Sequence, residues 1–161
     1  MHRVEQFFGH LTARVGPDEL AQARGILPAT AWPLFAAMPI ADRRHALDVT
    51  QRLIVAGTDD PDLLCAALLH DAAKSARLRL WHRVAGVLLQ SLAPGLLARF
   101  ASPDPISAGH PYYLYLHHAD LSAAAALRAG CSERTAAFIS GRQGPNDAGL
   151  AAALHDADEA S

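Results

Sequence analysis

The stretch Asp60–Pro61–Asp62–Leu63–Leu64–Cys65–Ala66–Ala67–Leu68–Leu69–His70–Asp71–Ala72–Ala73–Lys74 decides how the rest of the chain is read. Asp60 is suited to cap a helix, and Pro61 fits the first helical position, where a missing N–H costs nothing. Leu63, Ala67 and His70 then share one helical stripe, and Leu64, Leu68 and Asp71 share its neighbour. The spacing predicts a helix over 60–74 that is apolar at its start and delivers an imidazole and a carboxylate at its end. Adjacent helical residues diverge by about 100°, so His70 and Asp71 can flank one ion. Lys74, one turn beyond His70, can reach the same place. It is the only lysine in the chain, and the other thirteen basic residues are arginine. A compact ammonium rather than a planar guanidinium is favoured at that point.

Working outward, every recognisable element reads as helix. The expected spans are 4–15, 18–27, 30–38, 40–56, 77–93, a short piece to residue 100, 112–129, 132–139, and a last helix begun by Pro145–Asn146–Asp147. Gly57 and Gly130 close two of them. On 40–56, His45, Val49, Leu53 and Ala56 share a stripe. On 112–129, Leu114, His118, Leu121 and Ala125 do, and near the C-terminus Leu150, Leu154 and Asp158 do. Residues 101–111, with three prolines, form the main loop. No segment alternates with period two, so the fold class is all-α. The expectation is a compact multi-helix bundle with a metal site between helices, its 40–161 region carrying the site and 1–39 forming an N-terminal helical extension packed with it.

Composition narrows the function. The chain has 161 residues, 51% hydrophobic and 19% charged, with net charge −2. It is long enough for one self-sufficient core. There is no basic excess, so nucleic acid is not an expected partner. No run approaches a membrane span or a signal peptide, which predicts no membrane partner. Cys65 and Cys131 lack metal-type spacing, and a reduced, cytoplasmic setting is expected.

Four stripes carry ligand-type residues: His45, the His70–Asp71 pair, His118 and Asp158. Imidazoles combined with two carboxylates suit a divalent Mn, Fe, Mg, Co, Ni or Zn ion, and the sequence does not choose among them. The absence of thiolates from the set argues against a closed structural zinc site.

At this point the order of residues resembles a known family. Arg44–His45–Ala46–Leu47–Asp48–Val49, Leu68–Leu69–His70–Asp71–Ala72–Ala73–Lys74 and Leu154–His155–Asp156–Ala157–Asp158 look like the H…HD…D signature of HD-domain metal-dependent phosphohydrolases. The resemblance runs from about residue 40 to the C-terminus. It implies an HD-like bundle with His45, His70, Asp71 and Asp158 as metal ligands, Asp71 and Lys74 as catalytic residues, and Lys74 on a substrate phosphate. Within the last motif it selects Asp158, not Asp156. His118–Ala119–Asp120–Leu121–Ser122–Ala123 is similar to the H-P-E-x-G-A stretch of the two-metal subgroup, which makes His118 a further metal or substrate ligand. The chain departs from the pattern at Ala73, where the family has glycine, and at Ala119 and Ser122. It departs again at Ile139–Ser140–Gly141–Arg142–Gln143, where the subgroup has histidine. These departures weigh against a second, tightly held ion and suggest Arg142 as a phosphate contact.

The expected function is hydrolysis of a small phosphorylated substrate, a phosphoester or nucleotide, by a metal-activated water. The alternative is a degenerate module that binds a nucleotide or protein partner without turnover, and a purely structural helical domain ranks third. Other polar residues receive plainer readings. His155–Asp156 is taken as coincidental, His117 as outward-facing, and His2, His10 and His82 as surface or packing residues. His110, in the proline-rich loop, is taken first as a surface histidine, with approach to the site the lesser reading. Arg43 and Arg44 are read as a solvated face, with Arg44 a secondary phosphate candidate. Tyr112, Tyr113 and Tyr115 are read as packing.

Overall fold

The computed structural model of the protein describes residues 14–74 and 94–161, and all its regular structure there is helical. In chain order the helices are α1 (Pro17–Ile26), α2 (Trp32–Ala36), α3 (Ile40–Val55), α4 (Pro61–Leu69), α5 (Pro94–Phe100), α6 (His110–Arg128), α7 (Glu133–Ser140) and α8 (Ala148–Glu159), with one turn of 3₁₀ helix at Pro145–Asp147. The helix expected over 77–93 and all but the last two positions of the one over 4–15 lie outside the described residues, as do His2, His10 and His82.

Helix α4 is the axis of the bundle. Asp60 caps it by accepting from the amides of Asp62 (3.1 Å) and Leu63 (3.0 Å), and Pro61 follows at the first helical position. All seven residues from Leu63 to Leu69 are buried. A helix apolar on every side needs cover on every side, and α1, α2, α3, α6, α7 and α8 all pack on α4. Truncating a fully buried leucine such as Leu68 to alanine should therefore cost about 2–5 kcal/mol. The region before residue 40 joins the same core through Ala23, Leu27, Ala31, Phe35 and Met38. Arg44 on α3 ties α1 to it by pairing with Glu19 (2.5 Å) and Asp48 (2.9 Å), so it is a strut between helices and not a free phosphate contact.

The helix through the deciding stretch is shorter than expected. It ends at Leu69, and 70–74 continues as tight turns, with Ala72 N on Leu69 O and Lys74 N on Asp71 O. The cause is side-chain competition for backbone groups. Ser122 on α6, completely buried, accepts the Ala73 amide at 3.0 Å and holds the turn against that helix. Two positions where the sequence departs from the HD pattern, Ala73 and Ser122, are thus in direct contact. The main loop also ends earlier than expected, because His110 opens α6. Gly109 is required there, since a Cβ would collide with the carbonyl oxygen of Phe100. Cys65 and Cys131 meet between α4 and the start of α7, Sγ to Sγ 3.7 Å, as free thiols. Burial pushes Cys65 up to about 12, so it packs as a neutral group.

Candidate metal centre

Three helices and one turn bring the ligand-type residues together. His45 comes from the first half of α3, His70 and Asp71 from the turn after α4, and Asp158 from the last turn of α8. His45 Nε2 is 2.7 Å from Asp158 Oδ1, and His70 Nε2 is 3.3 Å from the same oxygen. One ligand atom from each of His45, His70 and Asp158 lies within 4.8 Å of the other two. Donors around a tetrahedral ion with bonds of ~2.0–2.2 Å stand roughly 3.3–3.6 Å apart, so small side-chain adjustments fit one divalent ion. Of the two carboxylates of the last motif, Asp158 turns toward the histidines while Asp156 is exposed.

The two inner histidines are oriented by the backbone. His70 Nδ1 donates to Ala67 O at 2.9 Å, and His118 Nδ1 donates to Tyr115 O at 2.8 Å. Each bond reaches back three residues and leaves Nε2 as the lone-pair nitrogen, the arrangement that suits metal-bound imidazole. His70 Nε2 is buried, and its 3.3 Å approach to Asp158 is not aligned as a hydrogen bond, so the atom is unsatisfied among the described residues. Buried polar atoms are nearly always partnered, and an orphan at a convergence of ligand atoms fits a missing cation.

Asp71 does not join the converging trio as the sequence expectation had it. Its carboxylate is almost wholly buried beside the trio, with Oδ2 3.6 Å from His70 Nε2 and Oδ1 4.0 Å from His118 Nε2. Lys74 Nζ donates to Oδ2 at 2.6 Å, while Oδ1 has no hydrogen-bond partner among the described residues. Lys74 is thus anchored on Asp71, and an ammonium carries two further donors. Arg142 pairs with Asp120 (2.8 Å) on the exposed surface and is not part of the cleft lining, although Gly141 and Gln143 on either side are.

Electrostatics follow from this crowding. Burial works to raise the Asp158 carboxyl, but the hydrogen bond from His45 and the nearby imidazoles of His45 and His70 hold it far below the ordinary carboxylate range. Asp71 behaves alike: burial opposes ionisation, and His70, Lys74 and His118 outweigh it. His70 is shifted upward, because the charges of Asp71 and Asp158 outweigh its burial. His118 is shifted downward by burial and by the neighbouring Lys74 charge, which keeps it neutral at neutral pH.

A cleft of about 380 Å³ opens from the trio. His70, His118 and Asp158 are in its lining, and so are Phe138, Ile139 and Leu154. His155, read as coincidental from sequence, lies on its rim and approaches Glu159 at 3.6 Å. His110 instead stands at the start of α6, its ring stacked on Tyr113 at 6.2 Å, and Tyr113 meets the exposed His117 in a tilted contact at 4.5 Å. Sequence reasoning missed Ser122 as the clamp and Gln143 and Phe138 as cleft residues. The only local signal for Gln143 was its place just after the helix-ending Gly141. No known protein family, curated protein or solved structure matches this chain.

Proposed function

We propose that the protein is a metal-dependent phosphohydrolase of the HD type, acting on a small phosphoester. The observation that carries this reading is the meeting of His45, His70 and Asp158 across 113 residues of chain, in the order that the H…HD…D signature implies. A divalent ion held by these three supplies Lewis acidity and a water of lowered pKa. The chain's own residues complete the chemistry. Asp71, kept ionised, offers Oδ1 as an acceptor that orients the attacking water. Lys74, fixed by Asp71, directs its remaining donors at the phosphoryl oxygens and offsets the charge that develops on them. Neutral His118 offers a second acceptor or ligand nitrogen beside Asp71.

One observation favours a second reading, in which the site binds a nucleotide or a protein without turnover. The 2.6 Å pair between Lys74 and Asp71 already occupies one carboxylate oxygen. The test is metal analysis of the purified protein joined to a phosphoester and nucleotide hydrolysis screen with added Mn²⁺, Co²⁺, Ni²⁺, Zn²⁺ and Mg²⁺. Stoichiometric metal with turnover is the expected result. Bound metal with no hydrolysis across a broad panel would replace the enzyme by the binding module.

A further inference from the structure

The cleft beside the trio is lined by polar and apolar side chains together, and Gln143 is among them. Helix α7 ends at Gly141, whose backbone is left-handed (φ 70°). Gly141 N bonds Phe138 O, and Arg142 N bonds Ala137 O at 2.9 Å. This paired closure fixes the path of the chain immediately after the helix and carries Gln143 into the cleft lining. There the Gln143 Oε1 atom is buried and, among the described residues, has no hydrogen-bond partner. Ser140, also in the lining, has its hydroxyl proton committed to Ala136 O at 2.9 Å. The same lining holds the apolar side chains Phe138, Ile139, Ala151 and Leu154. A buried acceptor with no partner reads a donor on whatever fills the space, because leaving it unpaired carries a desolvation cost.

Resting on the phosphohydrolase reading of the trio, we infer that the cleft takes phosphate monoesters of compact, mainly apolar alcohols that carry one hydrogen-bond donor, and that Gln143 is the residue that selects for that donor. The phosphate lies toward His70, Asp158 and His118. The organic group lies against Phe138 and Leu154, with its N–H or O–H donating to Gln143 Oε1. Size points the same way. Ligand clefts span about 300–1,000 Å³, and about 380 Å³ is at the small end. That suits a ring with one substituent.

Aryl phosphonates, which cannot be hydrolysed, separate this inference from the question of turnover. Phenylphosphonate and its 2-, 3- and 4-hydroxy derivatives would be titrated calorimetrically into the metal-loaded full-length protein, with ATP as the large, highly charged comparator. The corresponding phosphates would be assayed for kcat and KM in parallel. One hydroxy isomer should bind about tenfold or more tightly than phenylphosphonate, the scale of satisfying a buried acceptor, and ATP should bind more weakly than either. Gln143→Leu should erase that preference, so that the two phosphonates bind alike. The isomer series on the wild type gives the answer even if the variant folds poorly. Selective phosphonate binding without turnover keeps the inference and removes the hydrolase. Turnover or binding that ignores the hydroxyl group, or that favours ATP, overturns the inference and leaves the hydrolase standing. No phosphonate binding by protein with confirmed metal, and no turnover, overturns both.

Discussion

The two ends of α4 carry the two densest polar clusters of the described molecule, and they are built on opposite principles. At the N-terminal end, Arg134 answers the carboxylates. Its Nη1 reaches Asp60 at 2.7 Å and Asp62 at 3.3 Å, and its Nη2 reaches Asp147 at 2.8 Å. Ser132 and Thr135 complete the coordination of Asp62. The guanidinium also lies over the Phe138 ring, 5.0 Å from its centroid. At the C-terminal end, three ligand atoms converge on one another, and His70 Nε2 and Asp71 Oδ1 are buried with no hydrogen-bond partner among the described residues. The first cluster is complete as it stands and fastens α4 to α7 and the 3₁₀ turn. The second leaves these two atoms unpaired among the described residues. Satisfaction, not charge density, separates a structural network from a site.

The largest effect expected from breaking this contrast is on rate. Lys74→Ala should keep its metal and lose about 10²–10³-fold in kcat, the scale of deleting one charged transition-state contact. Asp158→Ala should lose both metal and activity. Equal metal content in the two variants, measured by atomic emission, would contradict the division of roles between Lys74 and the trio.

Stability comes next. An ion bound only by the native state adds roughly 2.7 kcal/mol at a hundredfold excess over its Kd. At about 2–4 °C per kcal/mol for a chain of this size, chelation should lower the Tm by roughly 5–11 °C. Asp158→Ala should show no chelator effect, and superimposable wild-type melts with and without EDTA would count against a native metal site. The other end should behave in the opposite way. Asp60→Ala removes the cap of α4 and should cost about 1 kcal/mol, with metal content unchanged.

The smallest effect is a pH dependence of the completed cluster. Burial tends to raise the Asp62 carboxyl, but the hydroxyls of Ser132 and Thr135 and the Arg134 guanidinium bring it below its ordinary value. A carboxyl lowered in the native state stabilises above its unfolded pKa of about 3.9 and stops doing so as pH falls through the native value. In chelated protein, Asp62→Asn should therefore lose less Tm than wild type between pH 5 and pH 2.5. Parallel curves would show that Asp62 contributes no such linkage.

The sequence by itself determined the helical class, the start of α4 and the inward stripes of α3 and α8. Each depends on near-neighbour chemistry: Asp60 before Pro61, Val49 and Leu53 one turn apart, Leu154 one turn before Asp158. Periodicity with the H…HD…D order singled out His45, His70, Asp71 and Asp158 from nine histidines and many carboxylates, and three of these four supply the converging atoms. Other features were decided only by tertiary packing. The helix stops at Leu69 because Ser122, 49 residues away from Ala73, takes that residue's amide. Asp71 stands beside the trio, not within it, because Lys74 holds one of its oxygens. Arg142 turns to Asp120, and Gln143 enters the cleft, because the Gly141 closure sets the chain direction after α7. Local sequence fixes which face a residue occupies, through dihedral preference and helical period. Which partner satisfies its polar atoms is set by groups remote in the chain, and that pairing exists only once the helices are packed.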